Sequence, residues 1–214
     1  MQNSVLGSVA WSERGRLLAA ARRRLFAPGE VVYHEGDLGD ALHVVASGHV
    51  SIRTTTPHGD VLTLALLGPG DQFGELSLLR PDHRHTATIV ALDSVETLSL
   101  GRRDFERLCQ DDPATATLLA HLLAATVERL DRLLTEAYFM PADHRVARRL
   151  REAAQSFGGT FVPITQEELA NLAGVSRATA NQVLRRLERR GVLRLDRHHI
   201  EVLDEPALTA SGRW

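Results

Sequence analysis

The stretch Ile164-Thr165-Gln166-Glu167-Glu168-Leu169-Ala170-Asn171-Leu172-Ala173-Gly174-Val175-Ser176-Arg177 reads as a helix, a glycine turn and the first residue of a second helix. Thr165 is placed to cap the first helix, and Glu168 three residues on completes a capping box. Leu169 and Leu172 give that helix an apolar face. Gly174 permits a sharp turn, Val175 packs inward and Ser176 caps the second helix. This is the build of a helix-turn-helix, whose second helix enters the major groove of DNA.

Outward from the turn, the second helix runs from Arg177 to about Arg190 and is sorted by face. At about 100° per residue, Arg177, Ala178, Asn181, Gln182 and Arg185 share one side, with Ala180, Val183, Leu184 and Leu187 roughly opposite. The first set suits base edges: Arg can grip guanine with two hydrogen bonds, Asn or Gln adenine, and Ala can touch a thymine methyl. Arg186, Arg189 and Arg190 are placed to hold phosphates, which position a protein without reading sequence. The candidate DNA-contacting set is therefore Thr165, Ser176, Arg177, Ala178, Asn181, Gln182, Arg185 and Arg186. The competing reading is an ordinary amphipathic helix with a solvated arginine face. Gly191 ends the helix. Val192–Leu195 and His199–Val202 then read as a hairpin around Asp196-Arg197-His198, the wing of a winged helix.

The 214-residue chain is 43% hydrophobic and 24% charged, which suits a soluble globular protein. No apolar run reaches membrane-spanning length and no signal-peptide core opens the chain, so a cytoplasmic protein without a membrane partner is expected. Cys109 is the only cysteine. It excludes an internal disulfide and leaves too few thiolates for an iron–sulfur cluster. The net charge of −2 is unevenly spread: residues 141–214 hold 12 Arg and 9 acids, a surplus of 3, around the helix-turn-helix, and residues 1–140 hold the acidic excess. All 25 basic residues are Arg, a bias that a GC-rich genome explains without function.

Residues 1–24 suggest a short helix ending in exposed Arg22-Arg23-Arg24. From Leu25 to about Leu100, short apolar runs alternate with glycine turns. Glu30–His34, Ala41–Val45, His49–Arg53, Val61–Leu66 and Ala87–Ala91 read as strands, and their spacing indicates a jelly-roll-like barrel or sandwich. A helix follows from about Pro113 to Ala137. Leu119, Leu123, Thr126, Leu130, Leu133 and Ala137 recur at steps of four and three, a heptad seam suited to pairing with a second copy. Pro141 breaks this helix, and a further one, Arg145 to about Phe157, leads through Gly158-Gly159 to the helix-turn-helix stretch. The expected class is α+β in three parts: a jelly-roll-like β-barrel over 1–112, a dimerisation helix and hinge over 113–140, and a winged helix-turn-helix over 141–214.

That order resembles the CRP/FNR family of bacterial transcription regulators, over roughly residues 25–204. Phe26-Ala27-Pro28-Gly29-Glu30, Glu35-Gly36-Asp37, Ser47-Gly48-His49-Val50 and Gly70-Asp71-Gln72-Phe73-Gly74-Glu75 carry the resemblance through the barrel. Phe73 through Ala91 is similar to the cassette that cradles a cyclic phosphate in nucleotide-binding members. The resemblance implies that Gly74 and Leu76 supply backbone, that Glu75 takes the ribose, and that cyclic AMP is the candidate effector. A cyclic phosphate is an anion that backbone N–H groups and an arginine fork can hold. The family reads Arg-Ser/Thr-Ala where this chain reads Arg84-His85-Thr86-Ala87. Counting back from Ala87 puts His85 at the arginine position and Thr86 at the hydroxyl position, whereas counting forward from Glu75 can put Arg84 there. The two differ by one residue, which on a strand reverses the side-chain face. Cyclic AMP receptors carry a Thr-Ser pair on the central helix, and the matching residues here are Leu130-Asp131. Thr126 stands one turn earlier. At the recognition helix, Ser176-Arg177-Ala178-Thr179 aligns with Ser-Arg-Glu-Thr, so the DNA site is expected to be a relative of the family palindrome. The resemblance also implies RNA polymerase as a partner.

The expectation is a homodimeric regulator that binds palindromic double-stranded DNA and is not an enzyme. A cyclic-nucleotide-binding signalling subunit without a transcriptional role is the alternative, and the winged helix argues against it. A cupin-like enzyme is the third reading, prompted by His34, His43, His49, His58, His83 and His85. Their spacing lacks a compact metal-ligand pattern, so neither metal nor haem is expected.

Overall fold

The structure, a computed structural model, describes residues 21–111 and 113–213. The β-rich part is two four-stranded sheets. Strands β1 (Arg22–Phe26), β2 (Val31–Tyr33), β3 (Ala41–Ser47), β4 (Val50–Thr55), β5 (Val61–Leu67), β6 (Gln72–Phe73), β7 (Thr88–Ala91) and β8 (Val95–Gly101) form them in the orders β1-β8-β3-β6 and β2-β7-β4-β5. Alternation fills the interior. Phe26, Val45, Val50, Phe73, Ile89, Ala91 and Val95 make one buried cluster. A second cluster, Leu42, Leu78, Leu100 and Phe105, joins helix α1 (Glu75–Leu79) and helix α2 (Arg102–Asp111) to the strands. The expected strands all occur, within two residues at each end. Three more strands, β1, β6 and β8, are not among those expected.

The expected N-terminal helix is corrected where it can be followed. Arg22-Arg23-Arg24 are extended, pairing in antiparallel register with Ser99, Leu98 and Thr97 of β8. The physical reason is β8 itself, whose free edge needs a partner for its backbone groups, with Phe26 buried as the anchor. Residues 1–20 of that expectation lie outside the described residues.

Helix α3 (Pro113–Phe139) is followed at Pro141 by α4 (Ala142–Ser156). Strand β9 (Phe161–Val162), helices α5 (Gln166–Ala173) and α6 (Arg177–Arg189), strands β10 (Leu193–Leu195) and β11 (Ile200–Val202), and helix α7 (Glu205–Ser211) complete the chain. The expected wing is β10–β11, and β9 adds a third strand, with Val162 opposite Ile200. Leu150, Ile164, Leu169, Leu184, Leu193, Ile200 and Leu208 are almost fully buried and form the centre of this part.

By contacts the chain divides into two compact units. One holds the residues up to Ile52 together with Leu67–Asp131; the other holds Arg53–Leu66 together with the residues from Arg132 onward. Within the second unit, Glu136 and Arg149 are a buried ion pair. Arg148 and Glu152 extend it to a four-membered network that ties the end of α3 to α4.

Candidate functional site

In the second unit the helix-turn-helix stretch folds as its residues dictate. The Thr165 hydroxyl accepts from the Glu168 N–H at 3.1 Å, and the Glu168 carboxylate accepts from the Thr165 N–H at 2.6 Å, so the capping box is complete. Arg53, in the same unit, donates to the other Glu168 oxygen at 3.2 Å. Gly174 takes the left-handed conformation at φ +61°, which a side chain would strain. The Ser176 hydroxyl accepts from the Thr179 N–H at 3.1 Å and starts α6.

Helix α6 buries Ala180, Val183, Leu184 and Leu187, as its apolar periodicity requires. Arg177, Ala178, Gln182 and Arg185 are exposed together on the other side. Asn181 is half-buried and donates to Gln166 at 2.6 Å, which ties α6 to α5. Arg185 pairs with Glu188 at 2.9 Å. Arg186 lies elsewhere: it pairs with Asp143 at 2.8 Å and lines a cleft with His144, Val183, Leu187 and Arg190. Thr165 and Ser176 sit at the starts of the two helices with their hydroxyls engaged in capping.

In the first unit, β6 and α1 place Gly74 and Glu75 against the barrel interior. Gly74 has φ +90°, and a Cβ there would lie 2.6 Å from the Ala41 carbonyl oxygen, so only glycine fits. Glu75 is buried. Burial pushes its carboxyl up, against the pull of its own backbone N–H and of the Arg129 charge on α3. Beside it the Tyr33 ring stacks on His85, with centroids 3.4 Å apart and planes 4° apart. Burial, and then the Glu75 charge, push the Tyr33 hydroxyl far up. His43 stacks on Phe73 at 5.0 Å and shares a 3.1 Å hydrogen bond with Thr97. Burial, with help from Arg24 and His85, holds His43 down at about 4.

The two ways of counting the cassette point to residues that differ in burial. The His85 N–H donates to the Asp37 carbonyl and the His85 carbonyl accepts from Gly36, which turns the imidazole inward. His85 and Ala87 are buried, whereas Arg84 and Thr86 are exposed. Arg84 donates to the Gly36 carbonyl at 2.5 Å, and the Arg80–Asp82 pair beside it holds the Asp82 carboxyl down at about 2. Glu75 and His85 are thus both buried and both neighbour Tyr33, whereas Arg84 and Thr86 are exposed. Thr126 is half-buried on α3, one turn from Arg129. Tyr33, Thr97 and Arg129 are additions that sequence reasoning missed, because only tertiary pairing joins residues so far apart; His43 entered it only as a candidate metal ligand and Phe73 only as part of the cassette motif.

On α3 the seam residues divide. Leu119 packs on the barrel's second core cluster. Leu130 is exposed, and Leu123, Thr126 and Leu133 are half-buried. The exposed apolar edge is Val127, Leu130, Leu134 and Tyr138. Of the expected seam residues, Leu119 is thus engaged within its own barrel unit and Leu130 is on the exposed edge.

A family model described as the cyclic nucleotide-binding domain matches residues 23–112, and one described as the Crp-like helix-turn-helix domain matches residues 144–211. The cyclic AMP receptor protein of Thermus thermophilus is 41% identical over 191 residues, 89% of this chain and 88% of that protein. The chain belongs to the CRP/FNR family of transcriptional regulators. A CRP-like cAMP-activated global transcriptional regulator of Mycobacterium tuberculosis is 33% identical over 195 residues, 88% of this chain and 87% of that one. Among solved structures, the catabolite activator protein of Thermus thermophilus is 38% identical, covers 98% of each chain and has a TM-score of 0.56. As a CRP/FNR-type regulator the protein carries a nucleotide-binding-type β domain and a Crp-type helix-turn-helix. Among the described residues no helix is long and apolar enough to cross a membrane, and no cluster of His, Cys, Asp or Glu could hold a metal.

Proposed function

We propose that this regulator acts as a homodimer that reads a palindromic promoter site through α6, with RNA polymerase as its partner and a cyclic nucleotide as modulator. The carrying observation is the division of α6. Its apolar residues are buried and its start is capped, while Arg177, Ala178, Gln182 and Arg185 project together. Such a face offers a fork for guanine, an amide for adenine and a methyl for thymine. Pairing is supported by the exposed edge Val127, Leu130, Leu134 and Tyr138. An isolated chain gains nothing by leaving that edge in water. Two copies would place two recognition helices on half-sites about one helical turn apart. Cyclic AMP is the first effector to test, since the Thermus and Mycobacterium relatives are both named for it. The protein's role is regulation, not catalysis.

The test is selection of a bound sequence from random duplexes, followed by anisotropy titration at fixed salt and light scattering of the free protein. A two-fold symmetric site and a dimer of about 47 kDa, twice the 23.5 kDa chain, are expected. Recovery of no preferred sequence would overturn the reading.

A further inference from the structure

We propose that Arg145 is the positioning residue that fixes recognition helix α6 against the pairing end of α3, and so sets the separation of half-sites that the dimer accepts. The inference rests on the reading of the protein as a two-fold DNA reader and goes beyond it by naming the side chain that holds the reader's geometry.

Arg145 stands in the first turn of α4 and is half-buried. Its guanidinium donates to backbone carbonyls at the ends of two other helices. Nη1 reaches the Ala137 carbonyl at 3.3 Å and the Met140 carbonyl at 3.0 Å, where α3 ends. Nε reaches the Ala173 carbonyl at 3.1 Å, and Nη2 reaches the Gly174 carbonyl at 3.2 Å, where α5 ends. All of these residues belong to one compact unit. The last carbonyls of a helix lack partners within it and carry the negative end of its dipole. Two such ends converge here on one cation. A guanidinium is a rigid, permanently charged fork with five N–H donors, so it serves both ends at once. An ammonium carries its three donors on a single nitrogen and cannot span them in the same way.

The place of this clamp gives it a role in DNA reading. Leu134 and Tyr138, on the exposed edge of α3, lie within one turn of Ala137. Gly174 closes the turn that leads to Ser176, the cap of α6. Arg145 thus links the helix face that pairs to the start of the helix that reads bases. The buried Glu136–Arg149 pair, by contrast, joins α3 to α4. In a dimer the two copies of α6 must meet half-sites one helical turn of DNA apart. Holding them at that separation beforehand spares the entropy of ordering them on the duplex. A loosened clamp leaves each α6 able to read its own half-site but removes the advantage of the correct separation. The defect is therefore in spacing, with base choice inside a half-site kept.

The experiment titrates the full chain, at fixed salt, with duplexes whose half-sites are set at the selected separation or moved closer or farther by single base pairs. The wild type should prefer one separation. Arg145→Gln should lose about 5- to 150-fold on that duplex, the range of an ordinary coupling free energy, and bind the altered ones about as before. Its ranking of single-base substitutions within a half-site should stay that of the wild type. Arg145→Lys, which keeps the charge and loses the fork, should fall between the two. Asp204→Ala removes the cap of α7, where the carboxylate accepts from the Ala207 N–H at 2.9 Å. It should lower the melting temperature and leave the spacing preference intact. A folded Arg145→Gln with the wild-type spacing profile would overturn the proposal, and so would an equal loss of preference in Asp204→Ala. If Arg145→Gln does not fold, Arg145→Lys carries the test, and a wild-type profile there overturns it. A wild type with no spacing preference would instead remove the two-fold reading on which the inference stands.

Discussion

Arg177 stands 76% exposed, with Glu167 3.6 Å away. An exposed pair of this kind contributes at most about 1 kcal/mol, so the guanidinium is released at little cost when a base edge competes. Arg177→Ala should weaken the preferred site by about 1–3 kcal/mol and relax choice at one base pair per half-site, read by competition with single-substituted duplexes. Equal loss on random DNA would make Arg177 a phosphate contact. Arg186 belongs to a different prediction, because its partner is Asp143. Arg186→Ala should change specificity little. In the barrel, His43 is depressed from 6.5 to about 4, so its neutral form is stabilising above the unfolded value, and that stability is lost as pH falls from about 6.5 towards 4. The cost over the whole window is at most about 3 kcal/mol. His85 is shifted in the same sense, while buried Glu75 and half-buried Asp71, both raised, act oppositely. Melting temperatures at pH 7 and pH 5 should therefore drop less in His43→Gln than in the wild type, and parallel drops would remove His43 as a titrating group.

At the scale of elements, local rules decided α5 and α6. The capping box, the left-handed Gly174 and the Ser176 cap are all satisfied by residues within three positions of one another, so the sequence displays them directly. Thr165→Ala should cost about 1 kcal/mol of stability, seen as a lowered denaturation midpoint. The strands with marked apolar runs were equally legible. Two of the strands that escaped sequence reasoning are short or extended by pairing: β6 has two residues, and β1 is an arginine-rich segment held by β8. The face of α3 was half legible. Its 3–4 repeat is in the sequence, but the packing of Leu119 on the barrel core selects which edge remains exposed. Charged substitutions at both Val127 and Leu134 should yield a monomer by light scattering and abolish most specific DNA binding. A double variant that stays dimeric would place the pairing surface elsewhere.

For the whole molecule, response to an effector requires that the ligand bind two states of the protein with different affinity. Leu130 cannot hydrogen-bond a nucleotide base. Substantial DNA binding without ligand is therefore expected near neutral pH, with at most a modest gain from cyclic AMP. Operator titrations with and without it, at fixed salt, check this. An absolute requirement for cyclic AMP at pH 8 would refute it. The amino-acid sequence by itself determined the family, the order of a β part before a helix-turn-helix part, and the apolar and polar faces of α6. Those features depend on turns, caps and periodicities that act over a few residues. Only the tertiary structure decided that His85 and not Arg84 faces inward, and that Tyr33 and His43 share its interior. It also decided that Arg186 is tied to Asp143 and that Leu119 is withdrawn from the seam. Strand register and helix packing set these positions, and both are fixed by contacts between residues far apart in the chain.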